Sequence, residues 1–470
     1  MTHQEFRKHA HEVVDWMADY WENIEQYPVK SQVQPKEIYR QLPDNAPLEG
    51  ESFERIFEDF QQLILQGVTH WQHPHFHAYF PANTSAPSVL AEMLTATMGL
   101  QCMVWQTSPS AAELEQKMME WLREMCGLAE DWEGCIQDTA STATLCAILS
   151  ARERATNYQI NQKGFENQKF TVYCSTETHS SIDKAVKIAG LGINNLRKIP
   201  ADENFSINAS ELEKTIKNDI ALGYTPLCMI ANIGTTSSVA VDKIIPLSEI
   251  CKKWDIWLHV DAAFAGAAMI LPEKRIMFTG IDLADSLVFN AHKWLFTNFD
   301  CSLYFVKDKG TLIRTFEIMP EYLKTGIDAE VNNYRDWGIP LGRRFRALKL
   351  WFVIRTYGLR GLQEKIRLHL ELTYLFAHKI SQFRTVEILA PLSFNLVCFR
   401  FVPNPNDSLE SINQWNEQFL QRLNDTGKVF LTHTKLNGKY AIRAVFGQTN
   451  LEERHVEELL EMIRELSNGE

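Results

Sequence analysis

Short apolar runs alternate with stretches of helical periodicity in the middle of the chain, from about residue 86 to residue 365. Each run has the length of an ordinary β-strand. Such alternation is typical of a mostly parallel sheet that is covered by helices on both faces. The predicted strands are residues 170–174, 193–199, 227–232, 256–261, 286–290 and 301–306. The pattern therefore predicts an α/β fold for this part of the chain.

The two ends of the chain have different patterns. Residues 1–25 carry one apolar stripe at helical spacing, and a second helical pattern covers residues 52–65. Beyond about residue 365, a long helical stretch precedes two shorter strands, 396–401 and 440–445, and a final acidic helix. We therefore predict an N-terminal helical segment (residues 1–85), a large domain (residues 86–365) and a small C-terminal α/β domain (residues 366–470).

Composition and charge exclude several classes of function. The chain has 470 residues, of which 45% are hydrophobic and 23% charged, and its net charge is −12. Nucleic acids and anionic membrane surfaces require basic patches, and the sequence has no basic run. We therefore expect neither nucleic acid nor membrane among its partners.

Cysteine usage and the N-terminus bear on the compartment. The nine cysteines are scattered and form no Cys-x-x-Cys pair, which is typical of buried thiols in a reducing compartment. The N-terminus lacks a basic stretch followed by an apolar core, and no apolar run has membrane-spanning length. The sequence therefore predicts a cytoplasmic protein.

Two predicted strands end in residues that could share one small ligand. The strand 286–290 is followed by Lys293, and a lysine at a buried strand end is costly without a task. The strand 256–261 ends in Asp261, which precedes the small Ala262 and Ala263. Ligands of open α/β sheets bind beyond the carboxyl ends of neighbouring strands. A lysine that condenses with an aldehyde, opposite a carboxylate that keeps a pyridine nitrogen protonated, predicts pyridoxal 5'-phosphate as the cofactor.

Motifs along most of the chain resemble one enzyme family, the pyridoxal-phosphate-dependent decarboxylases of the aromatic L-amino-acid group (group II decarboxylases). Only the last hundred or so residues match loosely. The motifs are His70-Trp71, His77-Ala-Tyr-Phe-Pro81, Ser108-Pro-Ser-Ala-Ala-Glu-Leu-Glu115, His259-Val-Asp-Ala-Ala263, Asn290-Ala-His-Lys-Trp294, Asn298-Phe-Asp-Cys-Ser302 and Tyr334-Arg-Asp-Trp-Gly-Ile-Pro-Leu-Gly-Arg-Arg-Phe-Arg346.

The resemblance implies the fold and assembly of that family. We expect a fold-type I architecture, like that of other pyridoxal-phosphate-dependent transferases. It has a large domain with a mostly parallel seven-stranded sheet and a small C-terminal α/β domain. We also expect a homodimer whose active site lies at the subunit interface and whose N-terminal segment lies across the partner. The apolar stripe of residues 1–25 is equally compatible with packing on its own domain.

The resemblance also assigns catalytic and cofactor-binding roles. Catalytic roles fall to Lys293, Asp261 and His179, and to Tyr322 in a segment that matches the family's mobile loop. His179 is expected to stack on the cofactor ring. The expected cofactor contacts are Thr139, Ala140, Ser141, His179, Thr235, Asp261, Ala263, Asn290, His292 and Lys293.

One residue departs from the family pattern at the phosphate. Asp138 stands where the family's animal members have glycine, immediately before Thr139, Ala140 and Ser141. A carboxylate repels a phosphate unless it points away from it.

Four histidines near residue 75 admit two interpretations. His73, His75 and His77 would share one face of a strand, as a metal site requires, with His70 nearby. No carboxylate or thiol lies near them in sequence to complete a ligand shell, so we expect no metal. The segment instead matches the family's substrate pocket, for which the expected residues are Trp71, Tyr79, Phe80, Pro81 and Gly342.

The predicted reaction is the decarboxylation of an aromatic L-amino acid (tryptophan, phenylalanine, tyrosine or dopa) to its amine and carbon dioxide. Histidine decarboxylase is an alternative, because the segment His75-Phe-His-Ala-Tyr-Phe-Pro-Ala82 resembles the histidine-alanine-tyrosine run of that branch of the family. Gly342 argues against it, since animal histidine decarboxylases carry serine there. An aromatic aldehyde synthase of the same fold is a second alternative, against which Tyr322 and His179 argue. Against glutamate decarboxylase, the sequence shows no evident cationic clamp for a side-chain carboxylate. A cofactor-free scaffold protein is expected to lose Lys293, Asp261 or His179, and all three are present.

Overall fold

The computed structural model describes residues 1–318 and 330–468. The chain forms two compact units: Met1–Pro81, Leu372–Glu387 and Cys398–Glu470 make up the first, and Ala82–Glu371 with Ile388–Val397 the second. The helices of the described residues are α1 (His3–Glu22), α2 (Glu37–Gln41), α3 (Phe53–Asp59), α4 (Ala86–Met98), α5 (Pro109–Cys126), α6 (Ala140–Ala155), α7 (Gln159–Lys163), α8 (Ser181–Ile188), α9 (Ala209–Ala221), α10 (Ile244–Lys253), α11 (Ala291–Trp294), α12 (Lys309–Phe316), α13 (Arg346–Ile380, interrupted at Gly358), α14 (Leu409–Asp425) and α15 (Glu453–Asn468).

The second unit is built on a seven-stranded sheet. Its spatial order is β1-β7-β6-β5-β4-β2-β3. The strands are β1 (Glu133–Gln137), β2 (Phe170–Ser175), β3 (Leu196–Ile199), β4 (Thr225–Asn232), β5 (Trp257–Asp261), β6 (Ser286–Asn290) and β7 (Ser302–Val306). The predicted mostly parallel seven-stranded sheet of an α/β fold is confirmed.

One strand of this sheet runs against the others. Strands β2, β3, β4, β5 and β6 pair in parallel, whereas β7 is antiparallel to both of its neighbours, β6 and β1. Two successive reversals return β1 to the direction of β6. The carboxyl ends of β1, β2, β4, β5 and β6 therefore lie at one edge of the sheet, together with the start of β7.

Burial explains why these strands read as continuous apolar runs. Every residue of β5, β6 and β7 is buried, as expected for a sheet covered on both faces. The predicted strand 286–290 coincides with β6. The predicted strand 193–199 is shorter in the structure, because Gly192 adopts a positive φ of 84° and Ile193–Asn195 form a 3₁₀ turn before β3.

The first unit contains a four-stranded sheet and the N-terminal segment. The sheet has the order β10-β11-β9-β8, formed by β8 (Val386–Ile388), β9 (Leu396–Phe401), β10 (Thr432–Leu436) and β11 (Lys439–Val445). The Val29 N–H donates to Gly427 O (2.8 Å), which joins the N-terminal segment to the C-terminal part of the chain. The prediction that residues 1–85 pack on a partner subunit stays a prediction.

The expectation that His73, His75 and His77 share one strand face is wrong. Their segment forms bends and turns as far as His75 and then a single β-bridge from Phe76 to Phe430, so no strand forms there, and each imidazole has a hydrogen-bond partner. The His75 N–H donates to His73 Nδ1 (3.0 Å), His75 Nε2 lies 2.8 Å from Glu458 Oε2, and His77 Nδ1 donates to Val445 O (2.9 Å). Among residues 1–318 and 330–468, no set of three or more His, Cys, Asp or Glu side chains has the geometry of a metal site.

Within the two described ranges, no helix is both long enough and apolar enough to cross a membrane.

Candidate active site

The predicted cofactor-site residues of the second unit lie at one edge of the sheet, where five of its strands end. The sequence forms these elements because apolar runs fill the buried strands and small or polar residues follow each of them. The edge carries Asp138–Ser141 after β1, His179 after β2, Thr235 after β4, Asp261–Ala263 at the end of β5 and Asn290–Lys293 after β6.

Lys293 lies in the single turn α11, directly after β6, and its side chain is partly buried. Burial lowers the pKa of its ammonium group, and the charge of Asp261 opposes that shift. The Asn83 side chain donates to Lys293 O over 2.6 Å and so holds the turn. A lysine with a lowered pKa has more of the neutral amine that condenses with an aldehyde. The role of Asn83 had no signal in the sequence, because it lies more than two hundred positions away.

Asp261 ends β5 with its side chain 7% exposed. Its Oδ1 accepts a hydrogen bond from the Ala263 N–H (3.0 Å). Burial raises the pKa of the carboxyl group, whereas that hydrogen bond and the charges of Lys293 and His179 lower it. The charges of the carboxylate and of the lysine amine therefore influence each other's pKa.

His179 lies in the turn between β2 and α8. Its Nδ1 accepts the Ser181 N–H (3.1 Å), which leaves the proton of the neutral ring on Nε2. Part of the ring is exposed, and burial of the rest lowers its pKa, which the charge of Asp261 opposes. The neighbouring Thr178 hydroxyl donates to Asn232 Oδ1 (2.6 Å) and ties this turn to the end of β4.

The turn between β1 and α6 presents a helix N-terminus to the same edge. Thr139 is the N-cap of α6, and its hydroxyl accepts the Thr142 N–H (3.4 Å). The Asp138 carboxylate does not extend away from this turn, since its Oδ1 accepts the Thr139 N–H (2.6 Å). The backbone N–H groups of Ala140 and Ser141 lie in the first turn of α6, where helices bind anions.

The start of β7 joins that turn to the end of β6. Ser302 Oγ lies 2.6 Å from Asn290 Oδ1 and 3.1 Å from Asp138 O. His292 Nδ1 accepts the Cys301 N–H (2.9 Å), and burial lowers the pKa of its ring to about 3. Ser302 was missed as a site residue, although it ends one of the quoted motifs and lies where β7 begins.

Thr235 is buried in the turn that follows β4. Its hydroxyl accepts the Ala240 N–H (3.0 Å) and lies 3.1 Å from Ser238 Oγ. The preceding Gly234 has a φ of 85°, and a Cβ at that position would lie 2.6 Å from the Ala265 Cβ. The glycine therefore allows this turn to pack closely against the turn that follows Asp261.

Gly342 is exposed and lies beside Gln101. A Cβ on Gly342 would lie 3.1 Å from Gln101 Nε2. Gln101 Oε1 accepts the Arg343 N–H (2.7 Å), so this side chain is already held in place. A larger residue at position 342 therefore requires the Gln101 amide to shift by a few tenths of an ångström.

The other predicted substrate residues, Trp71, Tyr79, Phe80 and Pro81, belong to the first unit. The rings of Trp71 and Tyr79 stack at 5.7 Å with an interplanar angle of 14°, and they are 37% and 50% exposed. Tyr79 has a φ of 51°, a conformation that is strained for a bulky residue and that concentrates at functional sites. Phe80 lies under the guanidinium of Arg443. The predicted proton donor Tyr322 lies outside the described residues.

The chemistry of the edge fits pyridoxal phosphate. That cofactor needs an amine for covalent attachment, an acid facing its ring nitrogen and backbone donors for its phosphate. Lys293, Asp261 and the first turn of α6 could supply these three functions. Ala263 beside the carboxylate leaves room for a flat ring.

Comparisons with known proteins give the same result. A family model described as the pyridoxal-dependent decarboxylase conserved domain matches residues 35–402. The chain is 42% identical to the phenylacetaldehyde synthase of Arabidopsis thaliana over 99% of its own length and 96% of the relative's. It is also 42% identical to tyrosine decarboxylase 2 of Narcissus pseudonarcissus, over 97% and 93% of the two chains.

A solved structure extends the likeness to three dimensions. The Oryza sativa tryptophan decarboxylase crystallised with pyridoxal phosphate and tryptamine has a TM-score of 0.97 and 32% identity, and the match covers 100% of this chain and 99% of that one. Sequence, site chemistry and structure thus agree that the chain is a member of the pyridoxal-dependent decarboxylase family, an enzyme whose cofactor is pyridoxal 5'-phosphate.

Proposed function

We propose that this enzyme decarboxylates an aromatic L-amino acid of the tryptophan, phenylalanine, tyrosine or dopa class to the corresponding amine and carbon dioxide. The observation that carries the proposal is the pairing of Lys293 and Asp261 at neighbouring strand ends of a sheet edge, in a chain similar throughout its length to enzymes named for aromatic amino acids.

Lys293 and Asp261 have complementary roles. When bound, pyridoxal phosphate supplies a conjugated, protonated ring that accepts the electrons of the bond to the departing carboxylate. Lys293 holds the cofactor covalently through its amine. Asp261 accepts the hydrogen bond from the ring nitrogen, and positive charge close to this carboxylate favours its ionised form.

The phosphate is bound at the start of α6. Thr139 and Ser141 contribute their hydroxyls, and Ala140 contributes its N–H. Asn290 and His292 complete this site from the end of β6, to which Ser302 joins the turn. Thr235 contacts the ring oxygen, and Ala263 leaves space beside the ring.

The aromatic side chain of the substrate contacts an aromatic surface formed by Trp71, Tyr79, Phe80 and Pro81. Exposed and stacked rings offer apolar area and favourable ring geometry to a phenyl or indole group. Gly342 leaves room for the larger ring. Apolar surroundings also disfavour the charged carboxylate relative to neutral carbon dioxide.

Two residues, His179 and Tyr322, take part in proton transfer. His179 stacks on the cofactor ring and assists proton transfer, with its Nε2 carrying the proton of the neutral ring. Tyr322 returns a proton to Cα after carbon dioxide has left. Protonation at Cα is the step that gives an amine as the product.

A substrate panel with product identification tests this proposal. Purified enzyme with added pyridoxal phosphate is incubated with L-tryptophan, L-tyrosine, L-phenylalanine, L-dopa, L-histidine and L-glutamate, and products are identified by mass spectrometry while oxygen consumption is recorded. We expect one amine per carbon dioxide from at least one aromatic substrate and no oxygen uptake. Turnover of histidine or glutamate alone would overturn the proposal.

The same panel decides a second candidate, an aromatic aldehyde synthase. The similarity to the Arabidopsis phenylacetaldehyde synthase is as high as that to the Narcissus tyrosine decarboxylase. An aldehyde synthase would consume one oxygen per carbon dioxide and release aldehyde, ammonia and hydrogen peroxide. Amine as the main product under air excludes it.

We further propose that the enzyme is a homodimer with its active site at the subunit interface. One face of α4 exposes four large apolar side chains at helical spacing, namely Leu90, Met93, Leu94 and Met98. On α1, Phe6 and Val14 are likewise exposed. Apolar surfaces of this kind mark protein interfaces. Light scattering should give twice the chain mass of 54.1 kDa, and Leu94→Asp should shift the enzyme to monomer.

A cytoplasmic location is proposed from the cysteines. All nine are free and buried, which fits a compartment that keeps thiols reduced. A fluorescent fusion of the full chain should be found in the cytoplasm.

A further inference from the structure

A chain of buried polar side chains lies within the second unit, between the sheet and α6. It contains Trp257 and His259 on β5, Ser286 on β6 and Thr144 on α6, all of them buried. Trp257 Nε1 donates to Ser286 Oγ (2.8 Å), Ser286 Oγ lies 2.8 Å from His259 Nδ1, and His259 Nε2 lies 3.0 Å from Thr144 Oγ1.

Only the first member of this chain has a fixed hydrogen-bond role. An indole N–H can only donate, so Ser286 Oγ accepts from Trp257, and the hydroxyl can then either donate to His259 Nδ1 or accept from it through its second lone pair. Burial lowers the pKa of His259 to about 3, so the ring stays neutral at physiological pH. One ring nitrogen therefore donates and the other accepts, and the two hydrogen bonds hold His259 in one orientation.

This hydrogen-bonded chain connects β5 and α6, the two elements that carry Asp261 and the proposed phosphate contacts. His259 precedes Asp261 by two positions on β5, so both side chains point to the same face of the sheet. Thr144 lies about one turn beyond Ala140, in the first half of α6. The distant end of α6 is attached separately, since Arg154 bonds Asp285 over 3.0 Å.

We propose that His259 is a positioning residue that fixes the distance between the Asp261 carboxylate and the phosphate-binding turn of α6. This inference rests on the roles proposed above for Asp261 and for the start of α6, but not on which amino acid is the substrate. The cofactor is a rigid ring with a short phosphate arm, so its two attachment points must keep a fixed separation. Binding sites of this kind require geometry within about 0.5 Å.

A merely structural network would behave differently from a positioning one. Loss of any buried hydrogen bond lowers stability. Loss of a bond that sets the separation of two cofactor contacts also weakens cofactor binding and alters the environment of the ring nitrogen. Cofactor affinity and the visible absorption spectrum therefore separate the two roles.

The test uses a matched pair of variants at Thr144. Thr144→Val removes the hydroxyl at nearly constant volume, whereas Thr144→Ser keeps the hydroxyl and removes only the methyl group. Tyr173→Phe serves as the control, because it removes buried hydrogen bonds elsewhere in the same sheet, from the Tyr173 hydroxyl to Asp219 (2.9 Å) and between that hydroxyl and Thr171 Oγ1 (2.7 Å). Each full-length protein is stripped of cofactor and titrated with pyridoxal phosphate by fluorescence. The absorption spectrum of the loaded enzyme and the Tm are recorded alongside.

We expect Thr144→Val to weaken pyridoxal phosphate binding roughly tenfold and to shift the visible absorption band. Thr144→Ser should return both readouts to within a few-fold of the native values. Tyr173→Phe should lower the Tm and leave both readouts unchanged. His259→Leu should reproduce Thr144→Val if it folds, and the Thr144 pair decides the matter if it does not.

Two outcomes overturn the proposal. In the first, Thr144→Val loses stability as Tyr173→Phe does but binds pyridoxal phosphate with native affinity and an unchanged spectrum. In the second, Thr144→Ser behaves like Thr144→Val, so that the hydroxyl is not responsible. Native enzyme that binds the cofactor but releases no carbon dioxide from aromatic substrates would refute the proposed function alone, since the cofactor titrations still decide the role of His259.

Discussion

The substitution Asp261→Asn should separate the stability of this enzyme from its rate. Asp261 Oδ1 accepts the Ala263 N–H, and an asparagine oxygen can accept the same hydrogen bond. The turn after β5 should therefore keep its conformation. What the substitution removes is one negative charge that faces Lys293 and, in the loaded enzyme, the ring nitrogen.

The expected loss of rate is large. An amide cannot hold the ring nitrogen in its charged form, so the cofactor accepts electrons less well. Removal of one such charge-stabilising contact costs about 10²–10³ in kcat, or about 2.7–4 kcal/mol.

The substitution should not lower stability, although it lowers the rate. Burial raises the pKa of Asp261, so the folded protein binds this proton more tightly than the unfolded chain does. Above that raised pKa the folded state holds a carboxylate that it disfavours, and the neutral amide removes this cost. The cofactor-free variant should thus be as stable as the native protein or more stable at neutral pH. Any gain should vanish as the pH falls to the ordinary aspartate value of 3.8.

Asp242→Asn is the matched control. Asp242 is also buried, its pKa is raised to about 6, and it lies outside the proposed site. Its two oxygens accept different backbone groups, the Ile207 N–H and the Asn232 N–H, each at 2.7 Å. An asparagine can accept only one of them, and the donor left without an acceptor costs about 1–3 kcal/mol, which offsets the gain from removing the disfavoured charge. The stability change of Asp242→Asn should therefore be less favourable than that of Asp261→Asn, and this variant should keep its chemistry.

Calorimetry of the cofactor-free proteins and kcat of the fully loaded ones provide the measurements. A near-native kcat for loaded Asp261→Asn would refute the role of the carboxylate. A stability change for Asp261→Asn that is no more favourable than that for Asp242→Asn would refute the reasoning about burial.

Three further predictions concern other site residues. Lys293→Ala should abolish covalent, borohydride-fixable attachment of the cofactor and nearly all turnover at an unchanged Tm; an active variant with the native adduct would contradict the assignment. Gly342→Ser requires the Gln101 amide to shift, and it should lower kcat/KM for tryptophan more than for smaller rings, whereas an equal change for tryptophan and histidine would exclude a role in selectivity. Tyr322→Phe should retain carbon dioxide release but yield aldehyde, ammonia and peroxide under air, because slow protonation of Cα lets oxygen react there; amine as the sole product at the native rate would make His179 the leading donor.

Much of the sheet could be predicted because burial on both faces leaves a strong signal. β6 was predicted to the residue, since the polar Asn290 and the turn α11 follow its apolar run at once. The antiparallel direction of β7 was not predicted, because an apolar run carries no information about direction. The alternating histidines near residue 75 suggested a strand, but the segment makes only one β-bridge, at Phe76, and each imidazole has a different hydrogen-bond partner.

The candidate site could be predicted only in part. Lys293 and Asp261 were found because charged groups at the ends of apolar runs stand out. Ser302 and Asn83 act through contacts with residues far away in sequence, and nothing in their local pattern indicates such contacts. His259 lay inside a quoted motif without a role, since its partners on β6 and α6 are known only from the fold.

The reversed strand β7 has a consequence for the order in which the enzyme becomes competent during synthesis. Strand β1 pairs with β7 alone, and the turn that follows it is joined by Ser302 to the end of β6. Domains fold as the chain emerges from the ribosome. Strand β1 is the first to be translated, and its partner in the sheet does not exist until Ser302–Val306 have been made. A nascent chain released before that point holds the lysine and the aspartate without a docked partner for the phosphate, so cofactor capture is deferred until the sheet is complete.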